Sequence, residues 1–173
     1  LHITFNALLK VWRQTKPDHV IFCLEARSWR KDHTVTYKLN RQEAKDAMSK
    51  TQAEEDKMFW ETYDELVKWL DSNTCASVIR CDNAEADDLI AGWINSHPND
   101  NHIIISTDSD FVQLIAPNVK QYNGISKQTI THLGILDEKG KRIRDKKTKE
   151  ELPPPDPEWL LFEKCMRGDV SDN

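Results

Sequence analysis

A chain of 173 residues, 38% apolar and 31% charged, is long enough for one hydrophobic core and has the make-up of a soluble globular domain. No apolar run approaches the roughly 20 residues that cross a bilayer, and no secretory pattern opens the chain, so a membrane role is set aside and a cytoplasmic one expected. The net charge of −5 speaks against a generic nucleic-acid coat, and Cys23, Cys75, Cys81 and Cys165, without a CxxC pair, against a zinc or disulfide framework.

In chain order, Phe5, Leu8, Leu9 and Trp12 recur at helical spacing before Pro17, which predicts a first helix. "HVIFCLE" is a continuous apolar run, the pattern of a strand buried on both faces. From Ala26 to Lys50 the chain is polar and basic with no steady period. Phe59, Tyr63, Leu66, Val67 and Leu70 form the stripe of a second helix, and "CASVIRC" reads as a second strand. Ala86, Leu89, Ile90 and Trp93 mark a third helix and "HIIIS" a third strand, followed by a short helix with Phe111, Leu114 and Ile115 inward. Val119–Tyr122 and Thr129–His132 predict edge strands. Residues 134–155 are expected to be a charged, mobile surface loop, and a last helix from about Asp156 to bury Trp159, Leu160, Phe162 and Met166. Alternating strands and helices predict an α/β fold with a mostly parallel central sheet flanked by helices.

The charges are segregated. Between Arg27 and Lys50 stand seven Lys/Arg against three Asp/Glu, whereas from Asp82 to Asp88 every charge is acidic. A basic surface beside an acidic one points to a phosphate-bearing partner brought up to a metal site, although two solvated faces would look the same.

The acids fall where elements end: Glu25 after the first strand, Glu85, Asp87 and Asp88 after the second, Asp108 and Asp110 after the third, and Asp169 and Asp172 after the last helix. Active sites of such sheets lie outside the carboxyl ends of the strands. Any one pair is explained by helix capping, worth roughly 0.5–2 kcal/mol. Seven or eight carboxylates converging on one edge would resist ionising together, and only a cation makes that tolerable at neutral pH. Oxygen ligands without His or Cys suit Mg²⁺ or Mn²⁺. So many carboxylates imply two ions, which about 3.5–4 Å apart promote phosphodiester hydrolysis. The segment "RSWRKDHTVTYKLNR" adds Arg30, Lys31, Lys38 and Arg41 with Trp29 and Tyr37 between them, cations for phosphates and rings for an unpaired base, unless the rings simply pack beneath the loop.

The ordered series "FCLE", "SWRKDHTVTYKLNR", "AEADD", "STDSDFVQL" and "GDVSDN", from about Asp18 to Asn173, resembles the 5′-nucleases, or flap endonucleases. "SWRKD…YKLNR" with "PNVKQY" is most similar to the phage-encoded branch of the T-even RNase H type. The resemblance implies a PIN-like fold, one catalytic domain over residues 1–173, a helical arch at about 27–58, and a 5′-3′ nuclease that removes RNA primers and 5′ flaps in replication. It implies that Glu85, Asp87, Asp88, Asp108, Asp110, Asp169 and Asp172 hold two Mg²⁺ ions, for which Mn²⁺ can substitute, with Glu25 standing where the family has Asp. Lys38 and Arg41 match residues that engage the scissile phosphate, Tyr37 a stacking position, and Arg30 and Lys31 substrate contacts. DNA and RNA–DNA hybrids with a 5′ end or flap are the expected substrates of a monomer in the host cytoplasm, with a phage single-stranded-DNA-binding protein and the sliding clamp as partners by resemblance. The family's first metal-binding Asp would precede Leu1 and its helix-hairpin-helix would follow Asn173, so a segment of a longer protein is expected. The alternatives are a PIN-domain ribonuclease cutting single-stranded RNA and a non-catalytic nucleic-acid-binding module.

Overall fold

The structure, a computed structural model, describes residues 2–34 and 36–168. Its fold is α/β, and the described residues divide into two compact units, one up to Leu89 and one from Ile90 onward. None of the described helices is long and apolar enough to cross a membrane.

The first unit opens with α1 (His2–Thr15), which stops where Lys16 takes a left-handed conformation (φ 45°) ahead of Pro17. Strand β1 (Ile21–Cys23) pairs in parallel with β2 (Ser77–Ile79), Ile21 opposite Ser77 and Cys23 opposite Ile79. Both strands therefore end at the same edge. Between them lie α2 (Arg30–His33), α3 (Leu39–Asp46) and the 24-residue α4 (Lys50–Asn73), so two helices occupy the stretch whose sequence shows no period. A capping box starts α4: Ser49 Oγ accepts from the Gln52 N–H at 3.3 Å and Gln52 Oε1 from the Ser49 N–H at 3.0 Å. The predicted stripe of α4 is buried at Leu70 alone, and Phe59 is 60% exposed.

Helix α5 (Ala86–Ser96) begins in the first unit and continues into the second. There β3 (His102–Ile105) runs parallel to β4 (Val119–Asn123), and β4, β5 (Gln128–Thr131) and β6 (Gly134–Leu136) continue antiparallel. A 3₁₀ turn (Ser109–Leu114) links β3 to β4 and plants Phe111 between Ile104 and Val119, with Ile90, Ile94, Leu114 and Ala116 around them. That cluster packs the 3₁₀ turn against β3 and β4.

Two expectations need correcting. Residues 134–155 run over the surface, but they contain β6 and further bridges, Leu136 to Arg142 and Arg144 to Glu151. Asp137 Oδ1 accepts from the Lys139 and Lys141 N–H groups, each at 2.9 Å, and Asp145 Oδ1 from Lys147 at 2.7 Å and Thr148 at 2.8 Å; these side-chain turns organise a stretch whose charge predicts none. Helix α6 (Pro157–Arg167), capped by Asp156, forms as predicted, yet Trp159 and Met166 are 59% and 71% exposed. Helical periodicity identifies an apolar face without specifying what lies on it.

Candidate metal centre and its cationic cover

Parallel pairing of β1 and β2 brings Glu25 and the segment leading to α5 to one edge of the first unit. Glu25 Oε2 accepts the N–H of Ala86, the first residue of α5, at 2.9 Å. Asp88 Oδ2 accepts the Glu85 N–H at 3.1 Å, and Asp87 Oδ1 the Asp88 N–H at 2.8 Å. Helix-start carboxylates thus do cap, as their local chemistry favours. They also cluster: one oxygen each from Glu85, Asp87 and Asp88 lies within 4.8 Å of the others, and Glu85 is only 2% exposed.

Side chains from the basic segment cover two of the three acids. The Arg30 guanidinium donates to both Asp88 oxygens, Nη1 to Oδ2 at 2.9 Å and Nη2 to Oδ1 at 2.8 Å, and Nη1 also reaches Glu85 Oε2 at 2.7 Å. Such a fork is the stronger, geometrically specific form of a carboxylate pair. The Lys38 ammonium donates to Glu85 Oε1, and the Tyr37 hydroxyl to Oε2 at 2.9 Å. Lys38 adopts a left-handed backbone (φ 54°, ψ 30°) just before α3, which costs about 1–3 kcal/mol for a non-glycine residue. The contact it gains there is the ion pair to a buried acid. Tyr37, expected to stack on a base, places its ring 5.0 Å from the Lys38 nitrogen, and Trp29 lies 4.9 Å from the Arg30 guanidinium.

The electrostatics of the three acids differ accordingly. Arg30 holds Asp88 below the usual carboxylate range. Burial would push Glu85 up, but the bonds from Lys38 and Tyr37, with help from the Ser28 hydroxyl, outweigh it and keep Glu85 low. Asp87 is pushed up by burial and by the charges of Glu85 and Asp88, against a lowering bond from the Asp88 N–H.

These directions set the pH dependence of stability. A depressed acid contributes stability in full above its unfolded pKa, about 3.9 for Asp and 4.3 for Glu. That contribution drains as pH falls through the folded value. Asp87 has the opposite sign, its ionisation opposing folding as pH rises. Urea unfolding from pH 6 down to pH 2.5 should therefore show a falling midpoint, and Arg30→Met should lower the midpoint at pH 6 and flatten the fall. Parallel curves for the two proteins would mean that Asp88 gains nothing from Arg30.

In the second unit, Asp108 begins the 3₁₀ turn, its Oδ1 accepting the Asp110 N–H at 2.9 Å while its own N–H donates to Ser106 Oγ at 3.1 Å. Both carboxylates are exposed, and Asp110 is ion-paired with Lys164 of α6. Lys31 on α2 and Arg41 on α3 are exposed. Asp169 and Asp172 lie outside the described residues. Sequence reasoning missed Ser28, which is 3% exposed against Glu85, and also Lys164 and Gln121. Ser28 and Lys164 act through neighbours distant in sequence, and no local pattern marks them.

Carboxylates gathered where two parallel strands end, under a cover of Arg and Lys, define the site of this α/β domain. The chain belongs to the 5′-nuclease family: the family described as 5′-3′ exonuclease, N-terminal resolvase-like domain, matches residues 1–150. It is 34% identical to the ribonuclease H of Enterobacteria phage T4 over 121 residues, 64% of this chain and 37% of that protein. It is 28% identical to flap endonuclease Xni of Aliivibrio fischeri (strain ATCC 700601 / ES114) over 123 residues, 68% of this chain and 43% of that one. In fold it is similar to the T5 D15 protein co-crystallised with metal ions, with a TM-score of 0.72 at 21% identity over 97% of this chain and 59% of that one. The bacteriophage T5 flap endonuclease in a pseudo-enzyme–product complex with DNA and metal ions gives a TM-score of 0.65 at 19% identity, over 97% and 58% of the two chains. The chain thus spans 37% and 43% of the length of these curated relatives. The family and the PIN-like α/β fold implied by the sequence motifs are both borne out.

Proposed function

We propose that the protein is a divalent-metal-dependent 5′-3′ nuclease that hydrolyses phosphodiesters at 5′ ends and flaps, removing RNA primers and flaps during DNA replication. The observation that carries this reading is the imbalance among the three clustered acids: Glu85 and Asp88 are matched by Lys38, Tyr37 and Arg30, whereas Asp87 is pushed toward its neutral form. An all-oxygen donor set with uncompensated charge fits a hard cation, Mg²⁺ first and Mn²⁺ as substitute.

Glu25, Glu85, Asp87 and Asp88 in the first unit and Asp108 and Asp110 in the second are the assigned ligands, with Asp169 and Asp172 assigned by resemblance. Those carboxylates would hold divalent ions, whose chemistry there would be to activate a water and stabilise the leaving oxygen. Lys38 and Arg41 neutralise the scissile phosphate, while Arg30, Lys31 and Tyr37 hold the substrate strand along the arch at residues 27–58. Substrates are DNA and RNA–DNA hybrids with a 5′ end or flap, cut by a monomer in the host cytoplasm beside a single-stranded-DNA-binding protein and the sliding clamp.

The test is cleavage of a 5′-labelled flap duplex and of a matched single strand, each with Mg²⁺ and with EDTA. Metal-dependent cutting at the junction is the expected result. Cutting of the single strand alone would replace this reading by a PIN-type ribonuclease, and binding without cutting by a non-catalytic module.

A further inference from the structure

The most deeply buried side chain of its size in the described residues is an amide. Gln121, on β4, is 1% exposed. Its Nε2 donates to two backbone carbonyls of the loop after β3, Ser106 O at 3.0 Å and Asp108 O at 2.6 Å. Two acceptors within reach require the nitrogen, not the oxygen, to face them, so the amide orientation follows from its partners. Gln121 Oε1 is buried and meets no donor among the described residues.

A buried amide with one end unpaired is a poor way to fill a core, and methionine or leucine of similar volume would avoid its desolvation. Packing alone therefore does not account for this residue. What the amide does that a hydrocarbon cannot is tie down the backbone between Ser106 and Asp108. The same loop carries Asp108 and Asp110; its other bonds run from the Asp108 N–H to Ser106 Oγ and from the Asp110 N–H to Asp108 Oδ1 within the loop, from the Ser106 N–H to Tyr122 O of β4 at 3.2 Å, and from Lys164 of α6 to the Asp110 carboxylate. Gln121 joins the Ser106–Tyr122 backbone bond in tying this loop to the sheet, and its side chain carries that tie on to Asp108.

We infer that Gln121 is a positioning residue, setting the Ser106–Asp110 loop so that the Asp108 and Asp110 carboxylates are presented for divalent-metal binding. This rests on the metal-ligand reading above. Groups that orient metal ligands from behind typically change metal affinity or activity by roughly 10–100-fold when removed.

The experiment compares wild type, Gln121→Met and Asp108→Asn in the whole protein, reading amide hydrogen exchange over residues 106–110 and Mn²⁺ affinity by electron paramagnetic resonance. Gln121→Met should raise exchange in the loop while β4 and β5 stay protected, and weaken Mn²⁺ binding at least tenfold. Gln121→His, which keeps one donor, should restore part of the affinity and serves as the readout if the methionine variant fails to fold. Unchanged loop exchange, or faster exchange with unchanged affinity, overturns the inference. If Asp108→Asn binds Mn²⁺ weakly while Gln121→Met binds normally, the inference alone is wrong; if both bind normally, the metal-ligand reading fails and the inference with it.

Discussion

Replacing Asp108 by Asn is expected to abolish cleavage of a 5′-flap duplex while leaving binding of that duplex nearly unchanged. The substitution separates two roles of the side chain. Asp108 starts the 3₁₀ turn by accepting the Asp110 N–H, and an asparagine Oδ1 can accept the same bond. The turn, and the Phe111 it packs against Ile104 and Val119, should therefore survive. What is lost is the negative charge a hard cation requires. The rate loss should exceed the roughly 10–100-fold seen when a group merely supporting a metal ligand is removed. Cleavage measured across Mg²⁺ concentrations, with binding followed by fluorescence anisotropy in Ca²⁺, gives both quantities. Loss of binding and cleavage together would show that Asp108 is structural, and retained cleavage that it is no ligand.

Lys38→Ala is expected to act in two opposite settings. Without metal it removes the ammonium from Glu85, which is 2% exposed and keeps Arg30, Tyr37 and Ser28 as partners among the described residues. Taking one partner from a buried pair leaves charge uncompensated. The melting temperature in EDTA should therefore fall, and Mg²⁺ should raise it by more than in wild type, because the ion replaces the missing positive charge. During turnover the same ammonium is proposed to neutralise the scissile phosphate, and loss of one preorganised donor of this kind costs about 10²–10³ in rate. A residue that merely held the DNA backbone would instead weaken binding on all substrates and lower the salt dependence by about one charge. Equal losses in binding and rate would demote Lys38 to that second role. An unchanged melting temperature in EDTA would mean that the Lys38–Glu85 pair contributes nothing to the metal-free fold.

Lys38 is placed for such a double role by its backbone. Its left-handed conformation is the kind of local strain that persists only when surrounding contacts hold it, and the contacts here are Glu85 and Tyr37. A cation paired with a metal ligand in one state and with a phosphate in another exchanges partners of the same charge, so neither state leaves it buried and alone. Arg30 has the same opportunity through its fork on Asp88, at 31% side-chain exposure for the arginine and 27% for the acid.

Much of this was legible in the residues themselves. Apolar runs such as "HVIFC" and "HIII" give strands because β-branched side chains suit a pleated, buried surface, and Pro17 and Asp156 mark helix ends by backbone chemistry acting over three or four residues. The acids from Glu25 to Asp110 were legible for the same reason: each sits where a strand stops or a helix starts, and motif order completed the family assignment. Tertiary structure decided what lies across space. That Arg30 and Lys38 cover Asp88 and Glu85 some fifty residues away, that Ser28 is sealed beside Glu85, and that Gln121 grips the Asp108 loop are pairings no local period encodes. The exposed face of α6 and the turns that order residues 134–155 escaped the sequence for the same cause. Periodicity and charge describe one segment at a time, whereas burial, pKa and hydrogen-bond partners depend on which segments meet.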